Sequence, residues 1–221
     1  MNMKTAAKNK KTAVYNKIKR EIIQGTMAPG FPINENDLAK SLNVSKTPVR
    51  EALRQLEREG LVETTHGRGS AVSHITFQDI REIFETREII ECGVARRAAS
   101  SCNPDEVRAK KKELQELPFE TGNIAESVWG PEEDIHLYII RNLKNQKLLD
   151  TYLGLLDHIK RIRINFGRRF VPHRMSEIRN EHIAILDALI EGDADIAEQQ
   201  VQMHLRNAAA YLMGLSSPKK G

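Results

Sequence analysis

Residues 44–54 read VSKTPVREALR. Val49, Leu53 and, just beyond, Leu56 recur at helical spacing, which predicts a helix with one apolar stripe. Ser45 stands at its N-cap, and Pro48 falls in its first turn, where no intrahelical N–H is required. Lys46, Arg50 and Arg54 lie on the opposite side. The positive end of the helix dipole disfavours cations at and near an N-terminus. A short helix that keeps them there calls for negative charge supplied from outside the chain.

Working outward, a first helix over 13–24 places Val14, Ile18, Ile22 and Ile23 on one face and stops at Gly25. The segment APGFPI (28–33) reads as a loop, since Pro-Gly and a second Pro break regular structure. Asn34 caps a second helix carrying Leu38, Ala39 and Leu42, which ends at Asn43. Gly60 closes the third helix. In LVETTHGRGSAVS (61–73) two apolar pairs flank a turn-rich centre, a β-hairpin with Gly67 and Gly69 supplying positive φ. Helix-turn-helix followed by a β-wing is a winged helix. The N-terminal residues of its recognition helix, Ser45, Lys46, Thr47 and Arg50, would face base edges and phosphates in a DNA major groove. Arg54 would meet a phosphate, and His66 and Arg68 at the wing tip would reach the adjacent minor groove or backbone.

The chain has 221 residues, 40% hydrophobic and 29% charged, which is ordinary for a soluble protein of one or two domains. No apolar run is long enough to span a bilayer, and the basic start lacks the apolar core of a secretory signal. A cytoplasmic location and no membrane partner are therefore expected. Cys92 and Cys102 are too few for a disulfide framework and read as reduced thiols. Residues 1–75 hold 13 Lys/Arg against 7 Asp/Glu, whereas 76–221 hold 21 against 23. The asymmetry points to a polyanion partner for the first part only. Residues 1–12 are expected to form a disordered basic tail.

From Thr76 onward no strand-like alternation follows. The fold class is mostly α: a winged helix over 13–73 and an all-helical bundle of six or seven helices over 76–215. Helical patterns run over about 124–143, 146–168, 174–191 and 194–214. Glu132 lies four residues before His136, on one helix face. His182 and His204 sit within apolar periodicities that turn them inward. Three imidazoles and a carboxylate on facing helices suit Zn, Ni or Mn, with positions open to an exogenous ligand. Separate, hydrogen-bonded histidines are the plainer alternative. Lys160, Arg161, Arg163, Arg168 and Arg169 read as a solvated or interdomain face. Trp129 reads as core or pocket wall.

The stretch 28–72, with its Pro-Gly loop, DLAKSLNVSKTPVREAL, LEREGLV and Gly-rich wing, resembles the DNA-binding domain of the GntR family of bacterial transcription regulators. The resemblance implies DNA contacts at Lys46, Arg50, His66 and Gly67. Asn36 stands where some members carry Arg. Residues 76–215 resemble the helical effector domain of the family's FadR branch, most clearly in HLYIIRNLKN (136–145) and EHIAILDALIEGDADIAEQQVQMHL (181–205). It implies metal ligands Glu132, His136, His182 and His204, with Glu in place of the usual Asp and Ile135 in place of Phe. It also implies that Arg87 faces an effector pocket and binds a carboxylate. Read from the residues alone, Arg87 with Glu85, Glu88 and Glu91 fits a solvated salt-bridge face equally well. The function implied is a transcription regulator, most often a repressor, with no catalytic residues. It would bind palindromic operator DNA as a homodimer under control of a small organic acid. Two alternatives stand beside it. The metal ion itself could be the signal, or the cluster could serve a metal-dependent hydrolase or lyase. The enzyme reading lacks a second carboxylate spaced as a general base.

Overall fold

Capping residues set most of the element boundaries in the computed structural model, which describes residues 3–65, 69–116, 135–167 and 172–215. The chain divides into two units, Met1–Ile75 and Thr76–Gly221.

The first unit contains α1 (Met3–Ile23), β1 (Pro32–Ile33), α2 (Glu35–Ser41), α3 (Lys46–Arg58), β2 (Val62–Thr65) and β3 (Gly69–Val72). The Asn34 side chain accepts bonds from the backbone N–H groups of Asn36 and Asp37, satisfying two orphan donors at the start of α2. Asn43 adopts φ 50° and Gly60 φ 70°, left-handed positions that end α2 and α3. Val14, Ile18 and Ile22 of α1 meet Val49, Ala52, Leu53 and Leu56 of α3 and Leu61, Val62 and Val72 beside the sheet in one buried cluster. The Tyr15 hydroxyl donates to Glu59, and Lys19 reaches the same carboxylate at 3.0 Å, tying α1 to the end of α3.

Two expectations are corrected here. The segment read as a disordered tail, 1–12, is helical from Met3. Its Ala and Lys residues are good helix formers, and no Pro or Gly interrupts them before Gly25. The segment read as a loop contains a short strand. Pro32–Ile33 pairs antiparallel with β3, giving a three-stranded sheet of order β1-β3-β2. Pro32 is tolerated because β1 is an edge strand. In the hairpin itself Gly69 takes φ 81°, while Gly67 lies outside the described residues.

The second unit is helical throughout its described residues: α4 (Phe77–Ala99), α5 (Pro104–Glu116), α6 (Ile135–Asn142), α7 (Gln146–Gly167), α8 (Pro172–Glu191) and α9 (Ala194–Leu212). A Thr76/Asp79 capping box starts α4, and Asp193 caps α9. α4 is the central element. It packs most extensively against α9 and also contacts α6, α7 and α8, while α5 covers α8. Of the helix expected over 124–143, only the part from Ile135 is among the described residues, and Trp129 is not. The basic run on α7 is solvated only in part: Lys160 is exposed. Arg161 and Arg163 are buried, at 3% and 7% exposure, because α7 turns that side inward; Arg168 and Arg169 lie outside the described residues.

Leu56 is fully buried at the centre of the first unit. Leu56→Ala should lower its unfolding free energy by about 2–5 kcal/mol, read from urea unfolding. A loss below about 1 kcal/mol would contradict this core.

Candidate functional site

Two constellations carry chemistry, one in each unit. On α3 the residues Val49, Ala52, Leu53 and Leu56 are buried, so the opposite face is presented outward. Lys46, Thr47, Arg50 and Arg54 are all exposed on it. Ser45 has the extended backbone of an N-cap but makes no side-chain cap bond, so its hydroxyl is not spent on the helix. Arg50 donates through Nε to Glu35 Oε2 at 2.7 Å. This contact spans the turn between α2 and α3 and orients the guanidinium. His66, Gly67 and Arg68 lie outside the described residues.

The second constellation is buried in the helical unit. His136 on α6, His182 on α8 and His204 on α9 are each at most 2% exposed. One ligand atom from each lies within 4.8 Å of the others. The Nε2 atoms of His182 and His204 are 3.3 Å apart. Two nitrogens bound to one tetrahedral zinc at about 2.0–2.1 Å would themselves be about 3.3 Å apart, so this pair already has the spacing of a metal edge. The donor set fits a borderline divalent ion such as Zn or Ni. Glu132 lies outside the described residues.

Two carboxylates stand behind the imidazoles. Glu91 Oε2 lies 2.6 Å from His136 Nδ1. Its other oxygen accepts from Arg87 Nε at 2.7 Å and from the Tyr152 hydroxyl at 2.9 Å. Glu181 Oε2 lies 2.8 Å from His204 Nδ1, and the same carboxylate accepts from both terminal nitrogens of Arg174 and from Asn207. Burial alone would raise both carboxyl groups. The Arg87 charge and the hydrogen bonds from Arg87 and His136 outweigh it and hold Glu91 at about 2. The bonds from His204 and Arg174 do the same for Glu181, also at about 2. Burial pushes His204 down to about 4 against the pull of Glu181, so its ring is neutral near pH 7 with a lone pair to offer.

Arg87 is 1% exposed and therefore not part of a solvated face. Glu88 is the partner of Arg206 and Gln202 instead. Sequence reasoning passed over Tyr152, Glu181 and Arg174, and it placed Glu91 on a solvated face, whereas Glu91 is buried. A signal for Glu91 was present: Ile80, Phe84, Arg87, Glu91, Val94 and Ala98 recur at three- and four-residue steps, and all are buried. Two charged residues on a core stripe four apart imply a buried pair.

The family model "Bacterial regulatory proteins, gntR family" matches residues 10–72, and the FCD domain model matches 82–207. The chain belongs to the GntR family. Among curated GntR relatives, the HTH-type transcriptional regulator YdhC of Bacillus subtilis (strain 168) is 29% identical over 206 residues, covering 90% of this chain and 88% of that one. The HTH-type transcriptional repressor RspR of Escherichia coli (strain K12) is 29% identical over 195 residues, covering 87% and 84%. Two solved structures share the fold. A GntR transcriptional regulator from Rhodococcus sp. RHA1 has a TM-score of 0.72 at 23% identity, covering 95% of this chain and 100% of its own. E. coli McbR/YncC has 0.69 at 21%, covering 93% and 97%. GntR proteins and these relatives are DNA-binding transcription regulators, not enzymes, which removes the hydrolase or lyase alternative. Among the described residues no helix is long and apolar enough to cross a membrane.

The three shifted groups act in one direction on stability. Glu91 and Glu181, held at about 2, stabilise the fold above their ordinary carboxylate range and lose that contribution as pH falls toward 2. His204, lowered to about 4, favours the fold above its ordinary range near 6.5 and penalises it as pH falls through that window. The urea midpoint of the metal-free protein should therefore fall steadily from pH 7 to pH 4, followed by helical circular dichroism. A midpoint independent of pH over that range would contradict the buried ionised network.

Proposed function

We propose that this GntR regulator is a repressor that binds a palindromic operator as a homodimer, and that its helical unit is an effector-binding and dimerisation domain with a divalent metal centre. The observation that carries the second half is the convergence of three buried imidazole ligand atoms within 4.8 Å. His136, His182 and His204 would hold the ion, with Glu132 as the carboxylate ligand. A bound ion would supply a Lewis-acid anchor for an organic carboxylate. Arg87, whose charge is felt at His204, would add electrostatic attraction for the same acid.

The DNA-binding half rests on the exposed face of α3. Ser45, Lys46, Thr47 and Arg50 would meet base edges and phosphates, and Arg54 a phosphate. His66, Gly67 and Arg68 would act from the wing. Homodimerisation would supply the second recognition helix. It is supported by apolar residues left outward on the α4–α9 helix pair: Ile89 is 79% exposed, Met203 46% and Ile196 40%. Effector binding would act by shifting the population between arrangements that differ in operator affinity.

One observation favours a second reading, in which the metal is itself the signal. Arg87 Nε is already engaged by an internal carboxylate, Glu91, which occupies part of the cation an external acid would use. Titrating operator binding with zinc, with and without a panel of small carboxylic acids, separates the two. A response to zinc alone favours metal sensing, and a response that needs an acid favours the organic effector.

Arg50→Ala should weaken binding to a selected operator duplex by about 5- to 150-fold, about 1–3 kcal/mol, with the fold unchanged. Unchanged affinity would remove Arg50 from the interface. His182→Ala should lower the zinc content of purified protein from about one equivalent per chain toward zero, by elemental analysis. Wild-type zinc content in the variant would remove His182 from the centre.

A further inference from the structure

The two carboxylates behind the histidine cluster are alike in design. Glu91 and Glu181 are drawn from different helices, yet each faces the Nδ1 atom of one imidazole. Each is anchored on its far side by an arginine and one further donor, Arg87 with Tyr152 and Arg174 with Asn207. A carboxylate accepts and does not donate. The contact at 2.6 Å to His136 and that at 2.8 Å to His204 therefore require a proton on each Nδ1.

We propose that Glu91 and Glu181 are positioning residues for the metal centre: each holds the Nδ1–H of one imidazole, His136 or His204, and so turns its Nε2 toward the ion. The inference rests on the metal reading above for its ion, but not for its tautomers. Ligating histidines held by a second carboxylate in this way are stronger and better oriented donors, and losing such a partner weakens metal affinity about 10–100-fold.

The test uses the full chain, labelled with ¹⁵N-histidine and stripped of metal. Long-range ¹H–¹⁵N correlation spectra, assigned with His→Gln variants, report which nitrogen of each ring is protonated. Nδ1–H at His136 and at His204 is expected, and both are retained on addition of zinc. Zinc affinity is then measured by competition with a chromophoric chelator for wild type, Glu91→Gln and Glu181→Gln. Each variant should bind zinc at least tenfold more weakly at unchanged helical content. A bare Nδ1 on His136 or His204 in the metal-free protein overturns the proposal, as do two folded variants with wild-type zinc affinity. Wild-type protein that takes up no zinc overturns the metal reading itself. The two failures are distinguishable because the tautomers are read before any zinc is added. The wild-type spectra need no variant, so misfolding of one substitution leaves the test intact.

Discussion

A carboxylate at 4% exposure beside a guanidinium at 1% constrains the whole helical unit. Burying either charge alone would cost several kcal/mol, and the cost is offset only where partners and geometry are nearly complete. Glu91 meets this with Arg87 from its own helix, His136 from α6 and Tyr152 from α7. Those bonds fix how α6 and α7 lie on α4. Glu181 does the equivalent for α8 and α9, through Arg174, His204 and Asn207. Apolar packing brings the helices together. The two ionic knots decide their register, because a one-turn slip of any of them would strand a charge.

The histidine cluster sits where the two knots meet. Each imidazole comes from a different helix, and two of the three are held by one knot each. Anything that draws the three nitrogens together therefore acts on α6, α8 and α9 at once. Its leverage is bounded by its preference for the drawn-together arrangement over the relaxed one. The rigid carboxylate backing makes that preference sharper, since the imidazoles cannot follow a poorly placed ligand without breaking buried bonds.

The winged helix was legible in the sequence because local signals mark each of its boundaries. Asn34, Asn43, Ser45, Gly60 and Gly69 occupy caps and turns whose backbone demands single them out. The inward turn of His182 and His204 was legible from periodicity. What escaped was set by distant parts of the chain. β1 is two residues long and exists only through β3, nearly forty residues later. Glu181 is adjacent to His182 in sequence and looks like a surface residue until α9 brings His204 and Asn207 to it. Arg161 and Arg163 read as solvated because charge is a stronger local signal than helix phase, yet α7 turns them inward. Glu91 was the avoidable miss, since its position on a core stripe four residues after Arg87 was visible without the structure.

The same contrast applies to the cations that frame α3. Part of the electrostatic conflict at its N-terminal end is resolved inside the chain, because Glu35 brings a carboxylate to Arg50 Nε. The pair is exposed, with Arg50 at 58%, so it adds little stability; its effect is to hold the guanidinium in one direction. Nε is engaged, and the two terminal nitrogens still form a fork of the shape that guanine N7 and O6 accept. Lys46 and Arg54 make no ion pair among the described residues. Lys46 thus remains beside the positive end of the helix, an unfavourable term of about 0.3–1 kcal/mol in the free protein. A phosphate backbone reverses that sign, and counterion release adds to the gain. A cation held beside the positive end of a helix is thus unfavourable in water and would be favoured beside a phosphate backbone.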